Sequence, residues 1–449
     1  MVLLLIWVFC FGKVRRWESY HLIQWDIFEY YSYLPATFIK HDLSLKFLDS
    51  EKEDSHWKNL WTTPQENGKH SVRMTMGLSF LYLPFFLVAH ITAGWLGYAR
   101  DGFTLPYQAA IAFSCVFYAF IGLCVLRKIL LKYFDEVITS VSLAVLVFGT
   151  NLWSGTLFEP GLTHPYLLML ISIFLYLTIK WIEKPNYKII IAAGFTAGWI
   201  VLIRPTDIIV LLVPLLFGIL SWKQFAGRLN LFWKHKLHMV VFGFCLFLVF
   251  VPQLLYWKYI SGHWIMYSYG VERFYFLKPH LLSGLFSYRK GWLLYTPVMA
   301  LALIGIFLLR KFAKDLFWLL LIFTLLNTWV LLSWWCWWYG GCFGMRPMIE
   351  SYALMVFPLA AFIRFVWEKK NYLVRSALAV CLGFFVWLNL FQSNQYSISV
   401  LHYECTSKEL YLKAFGSMQY PANYEKLLKC PEVEKGGWEE DSHIEKIWN

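Results

Sequence analysis

Long apolar stretches recur along this chain, and no other feature constrains its fold as strongly. The runs 240–255, 292–309 and 316–333 each approach the roughly 20 residues that an α-helix needs to cross a bilayer. A soluble α/β enzyme of this length has no core large enough to hide them. Composition agrees, because 59% of residues are hydrophobic, 20% aromatic and only 15% charged, which lies outside the range of soluble globular domains. The chain reads as an all-α polytopic membrane protein.

A net charge of +12 would suit a nucleic-acid partner if the cations formed one patch. They do not. Lys and Arg fall in small groups between the apolar runs: Arg127/Lys128/Lys132, Lys180/Lys184/Lys188, Lys223 to Lys236, Arg310/Lys311/Lys314 and Lys369/Lys370/Arg375. Such groups are topology signals that mark cytoplasmic loops, and no nucleic acid is expected. Placing all five on the cytoplasmic side predicts spans near 106–126, 137–153, 165–181, 189–203, 206–221, 238–256, 292–309, 316–333, 351–366 and 376–391. With the apolar start 1–12 added, the bundle has about eleven transmembrane helices, an inner N-terminus and an outer C-terminal tail. The run 1–12 is short for a span, so either the true start lies upstream or this is a signal-peptide core.

The apolar run Gly77 to Tyr98 breaks the alternation, because a crossing there would invert every later basic loop. Pro84, His90 and several glycines inside it fit a helix that lies in the outer interface or dips and returns. Residues 13–105 then form one large first outer loop with juxtamembrane helices. The expected organisation is a transmembrane domain over 1–391 and an outer-facing tail over 392–449. There is no internal repeat and no Rossmann or Walker glycine pattern. Nine cysteines lack CxxC spacing, which argues against a zinc or thioredoxin-like site, while Cys405 and Cys430 share the outer tail, where a disulfide can form.

Under this topology Asp26, Glu29, Tyr30, Asp42, Glu159, His164, Arg204, Asp207, Glu272, Arg273, Arg289, Lys290, Arg346 and Glu350 all face outward near the membrane. Charge at membrane depth is expensive and usually serves a cavity or a partner. Acids on the first loop, with arginines arriving from several spans, suit a site that needs a general base and holds an anionic, phosphorylated group.

These residues carry a resemblance. The first outer loop opens with Asp26-Ile27-Phe28-Glu29-Tyr30, which is similar to the D-E-x-x-Y motif of GT-C glycosyltransferases, the membrane class of protein O-mannosyltransferases and the lipid A aminoarabinose transferase. Asp26 and Tyr30 match; Ile27 occupies the place of the second acid, for which Glu29 is the candidate substitute. Further along, Ile203-Arg204-Pro205-Thr206, Ser287-Tyr288-Arg289-Lys290-Gly291 with Tyr295-Thr296-Pro297, and Trp338-Tyr339-Gly340-Gly341-Cys342-Phe343-Gly344-Met345-Arg346-Pro347 resemble segments of bacterial members in the same order.

The resemblance implies a GT-C-like bundle that moves a sugar from a polyprenyl-phosphate-linked donor to an unidentified acceptor on the outer face, by inversion. Asp26 would be the general base. Arg204, Arg289 and Arg346 would hold the lipid-linked phosphate, since guanidinium offers a planar fork to phosphate oxygens; each also reads as a snorkelling anchor at a span end. Glu29, Tyr30 and His164 join as substrate-binding candidates. In FEPGLTHP, Glu159 and His164 stand where relatives often place another acid, and Asp26, Glu29 and His164 offer a ligand set for a divalent ion, so metal dependence is open. The run Trp334 to Tyr339 reads better as an interfacial belt than as a sugar platform. The expected setting is a bacterial inner membrane, with membrane lipids and the polyprenyl-phosphate sugar as partners. The rivals are an O-antigen-type polymerase or ligase and a lipid-linked sugar flippase or transporter; neither calls for an acid motif directly after the first span.

Overall fold

A computed structural model describes residues 2–19, 21–49 and 56–431, so the tail from 432 lies outside the described residues. The protein is mostly helical. Five helices are long and apolar enough to cross a membrane: Leu105–Leu130, Thr163–Glu183, Lys236–Ser261, Lys314–Leu332 and Tyr372–Ser397. Shorter apolar helices cover Ser79–Trp95, Glu136–Phe148, Tyr187–Ile203, Pro205–Leu216 and Tyr352–Trp367.

Two expected spans are interrupted. Over 206–221 the chain forms a 3-10 helix, Pro205–Leu211, then a short α-helix, Leu212–Leu216, and turns at Gly218 with φ 76°. Pro205 and Pro214 each remove a backbone donor, and the glycine takes a left-handed conformation, so an unbroken helix is disfavoured. Over 292–309, Thr296-Pro297 separates the turn Trp292–Tyr295 from the helix Val298–Phe312.

The chain forms two compact units, residues 1–121, 156–208 and 232–270, and residues 122–155, 209–231 and 271–449. In the first unit the helix Tyr187–Ile203 packs against both Thr163–Glu183 and Lys236–Ser261. The second of these contacts is very close. A Cβ on Gly194 would stand 2.6 Å from the Phe242 carbonyl oxygen, and one on Gly198 2.7 Å from that of Leu246, so only glycine fits at both turns. Ser79–Trp95 runs antiparallel to the first half of Leu105–Leu130: Leu81 accepts from the Tyr118 hydroxyl at 3.1 Å, and His90 meets the Tyr107 hydroxyl at 2.6 Å.

In the second unit Val298–Phe312 packs on Tyr352–Trp367, which also contacts Glu136–Phe148 and Tyr372–Ser397. At one end of these helices the basic loops near 127, 311 and 369 carry ion pairs. Arg127 pairs with Glu136 at 2.7 Å, Lys311 with Glu368 at 2.7 Å, and Arg364 with both Glu368 and Asp135. The opposite end of Val298–Phe312 carries the tail: Val400, Leu401, Tyr411 and Ala414 form one apolar cluster with Tyr295 and Phe343. A helix of this length separates the two ends by about 22 Å. Cys405 and Cys430 are joined by a disulfide, as the tail's composition allowed.

Candidate functional site

The first-loop motif forms the body of a short helix, Trp25–Tyr31. Trp25 enters it with φ 51°, a left-handed conformation that a non-glycine residue adopts only at an energetic cost. Asp26 sits half-buried in the first turn, where a carboxylate faces helix N–H groups that lack intrahelical partners. Ile27 is buried against the second loop, since a Cβ on Gly161 would stand 3.1 Å from its Cδ1. The place of the missing second acid is therefore a packing position.

Glu29 is fully buried and holds backbone with both oxygens. Oε1 accepts the N–H of Trp61 at 2.5 Å and Oε2 the N–H of Arg73 at 3.0 Å. Those two residues flank a hairpin in which Thr62–Pro64 pairs antiparallel with His70–Val72. One carboxyl thus closes the base of the hairpin onto the helix that carries Asp26. Burial pushes the Glu29 carboxyl up to about 7, opposed by the N–H groups of Trp61 and Arg73, the Arg73 guanidinium and the Met74 N–H. Tyr30 is buried beside it, its carbonyl accepting from the Ser79 hydroxyl at 2.5 Å.

The hairpin and the strand leaving it dock on two helices of the same unit. Asn67 donates to the Ile260 carbonyl at 2.8 Å, the Gln253 amide oxygen accepts from Met76 N–H at 2.8 Å, and the Thr75 hydroxyl donates to the Leu202 carbonyl at 2.5 Å. Around the outer edge lie aromatic rings. The Arg73 guanidinium is 5.2 Å from the Trp61 ring centre and 5.8 Å from that of Tyr269, and the Trp25 ring, 55% exposed, is 5.7 Å from Trp61. Trp25, the residue before Asp26, therefore borders a cluster of rings and the Arg73 cation.

The structure also brings His164 and Arg204 together. His164 is buried in the first turn of Thr163–Glu183, and Arg204 ends Tyr187–Ile203, with its NH1 3.3 Å from His164 Nδ1. A guanidinium only donates, so Nδ1 accepts, which assigns the neutral imidazole its proton on Nε2. Among the described residues no group of three or more His, Cys, Asp and Glu side chains is placed to hold a metal ion. The trio Asp26, Glu29 and His164 does not fit one, because both Glu29 oxygens take backbone N–H groups and His164 Nδ1 faces a cation.

In the second unit Arg289 and Lys290 are both buried. Lys290 Nζ donates to the carbonyls of Cys342 and Tyr403, binding the glycine-rich loop to the tail. Arg289 NH2 donates to the Lys429 carbonyl at 2.9 Å, and its guanidinium lies 5.7 Å from the Trp338 ring centre. Burial pushes its pKa down to about 10, opposed by the Glu404 carboxylate and the Cys336 thiol, so it stays a cation at neutral pH. Glu404 also accepts from Trp338 Nε1 at 2.6 Å. Arg346 follows the left-handed turn at Gly344 and is half-buried. Its charge acts on the Cys336 thiol, as does that of Glu404, so Arg289 and Arg346 share a neighbourhood around Cys336.

Sequence reasoning missed Arg73, Trp61 and Glu404, and did not assign Lys290 a role. A signal existed for the hairpin, because Asn67-Gly68 is a favoured turn pair between strands, and Gly68 takes φ 72°. No family model matches the chain, and no curated protein matches it.

Proposed function

We propose that the chain is a GT-C-type membrane glycosyltransferase that transfers a sugar from a polyprenyl-phosphate donor to an acceptor on the outer face. In this mechanism the acceptor O–H or N–H gives its proton to the Asp26 carboxylate as the acceptor atom attacks the anomeric carbon. The bond from that carbon to the phosphate oxygen breaks, and the lipid phosphate leaves as an anion. Inversion at the anomeric carbon follows from a single displacement. Arg204 and Arg346, the half-buried arginines, are the cations proposed to receive the phosphate charge, while Arg289, buried and bonded to the Lys429 carbonyl, holds the tail. No step is routed through a metal ion.

One observation carries this reading: Asp26 is the half-buried acid on a helix whose other motif residues anchor that helix in place. Ile27 packs on Gly161 and Glu29 fastens the hairpin. A base must be positioned within reach of a proton while its neighbours stay fixed.

The ends of the helices support the proposed orientation. In the first unit, Tyr187–Ile203 separates Lys188 from the Arg204–His164 pair and the first-loop contacts by about 25 Å. In the second unit, the basic ion pairs and the tail lie at opposite ends of Val298–Phe312. Basic ends in the cytoplasm put Asp26, Arg204, Arg346 and the tail outside, in a bacterial inner membrane. The helix Ser79–Trp95, antiparallel to the first half of Leu105–Leu130, then dips into the bilayer from the outer side beside that span without crossing, and about eleven spans remain the proposed total.

The test is Asp26→Asn in membranes supplied with radiolabelled polyprenyl-phosphate hexoses. The amide keeps the shape and hydrogen-bond reach but takes no proton, so transfer should fall by roughly 10²–10⁴-fold while the donor still binds. Near-normal turnover in this variant removes Asp26 from the chemistry.

A further inference from the structure

The helix Trp222–Lys234 takes no part in the proposed chemistry, and its pattern is amphipathic. At about 100° per residue, Trp222, Ala226, Leu229 and Trp233 fall on one face, and Lys223, Gly227, Asn230 and Lys234 on the adjoining one. The apolar face is open: Trp222 is 82% exposed, Leu229 47% and Trp233 75%. A different edge is the one that is held. Arg228, on the far side of the wheel from the lysines, is buried and donates to the carbonyls of Pro214 and Phe217 at 2.6 and 2.7 Å. That pair of bonds fixes the helix's rotation and leaves the Trp–Leu–Trp face outward.

Charge identifies what covers this face. From Trp222 to His238 there is no acid, while Lys223, Arg228, Lys234 and Lys236 supply cations. Lys236 Nζ lies 5.5 Å from the Trp233 ring centre, so a lysine ammonium and an indole sit together at the end of the stripe. The chain runs on into the helix Lys236–Ser261, where His238 accepts from Trp181 Nε1 at 3.0 Å and Lys184 follows shortly after Trp181. A tryptophan at each end, an apolar stripe between them and lysines along one flank are the elements of a helix lying in a bilayer interface. The rings enter the headgroup boundary and the ammonium groups meet lipid anions.

We propose that Trp222–Lys234 lies in the plane of the membrane interface, with Trp222, Leu229 and Trp233 entering it, and that Lys223, Lys234 and Lys236 bind anionic phospholipid headgroups. Because this rests on the helix's own faces and charge, it stands whether or not the chain transfers a sugar.

The test uses the full chain with its seven free cysteines replaced by alanine or serine and the disulfide kept. A single cysteine at Leu229 or at Asn230 carries an environment-sensitive fluorophore, and the protein sits in nanodiscs of phosphatidylcholine with or without phosphatidylglycerol. The label at 229 should be quenched by 5-doxyl phosphatidylcholine and protected from iodide, and the label at 230 should show the reverse preference. Native mass spectrometry should show phosphatidylglycerol retained over phosphatidylcholine, with the preference reduced several-fold in the Lys223→Gln/Lys234→Gln/Lys236→Gln variant, whose three substituted positions are exposed. Equal quenching at 229 and 230 overturns the proposal, as does protection at 229 that depends on protein concentration, which would mean a second copy covers the face. An unchanged lipid preference in the triple variant overturns the headgroup assignment.

Discussion

The loop region 13–105 and the C-terminal tail solve the same problem with opposite kinds of side chain. In the loop, a buried carboxyl, Glu29, accepts backbone N–H groups from both ends of a hairpin. At the tail, buried basic groups from outside it donate to backbone carbonyls: Lys290 to Tyr403 as well as Cys342, and Arg289 to Lys429. Irregular backbone leaves polar groups without a ladder to satisfy them, and one ionisable side chain can reach two at once. The contrast separates the candidate residues by use. Buried Glu29, Lys290 and Arg289 fasten backbone, whereas Asp26, Arg204 and Arg346 are half-buried.

The largest effect should come from removing the side chain that joins the glycine-rich segment at Cys342 to the tail. Lys290→Met keeps the volume and loses two charge-assisted hydrogen bonds, at about 1.5–3 kcal/mol each, so roughly 3–6 kcal/mol should disappear. Limited proteolysis should then cut within 398–431 at a lower temperature than in the parent protein. A cleavage profile identical to the parent's would show that the buried lysine does not hold the tail.

The disulfide is the tail's second fastener and has no counterpart among the described residues of the loop. Cys405 and Cys430 are 25 residues apart, and closing a loop of that size is worth about 3.5 kcal/mol in the chain-entropy account. Cys405→Ser with Cys430→Ser should lower the melting temperature and raise hydrogen exchange around the Thr406–Leu428 bridge, while amides of the 62–72 hairpin keep their protection. Loss of protection in the hairpin as well would mean that the two regions are not fastened independently.

Hydrophobic runs and basic groups were enough to locate the helices, because burial in lipid and loop charge act within short windows of sequence. Helix interruptions were harder to read. Pro214 and Gly218 look tolerable inside an apolar run, yet together they end the helix Leu212–Leu216 and turn the chain. The site was legible as far as the motif, which put Asp26 on the first loop. The fasteners were not legible, since whether Glu29 is a ligand or a clamp depends on Trp61 and Arg73, which are 32 and 44 residues away. Lys290 likewise acts on partners 52 and 113 residues distant, and nothing local to it signals them.

The smallest expected effect tests the loop clamp itself. The folded Glu29 carboxyl titrates near 7 against an ordinary value of 4.5, so between these limits the folded state holds a proton that the unfolded chain has released. Its contribution to stability is fully present below about pH 4.5 and declines as pH rises through 7, by roughly 3 kcal/mol at most at about 1.4 kcal/mol per pH unit. Arg289, which holds the tail at Lys429, has a pKa of about 10 and keeps its charge across this window. Tail protection should therefore stay level while exchange at the amides of Trp61 and Arg73 rises with pH beyond its intrinsic pH dependence. Glu29→Gln removes the titrating group and should flatten that excess. It also turns an NH2 donor toward one of two N–H donors, leaving one of them unsatisfied at about 1–3 kcal/mol at every pH. A Glu29→Gln protein that keeps the parent's pH dependence would assign the titration to another group. If that variant also has the parent's stability, the hairpin needs no clamp.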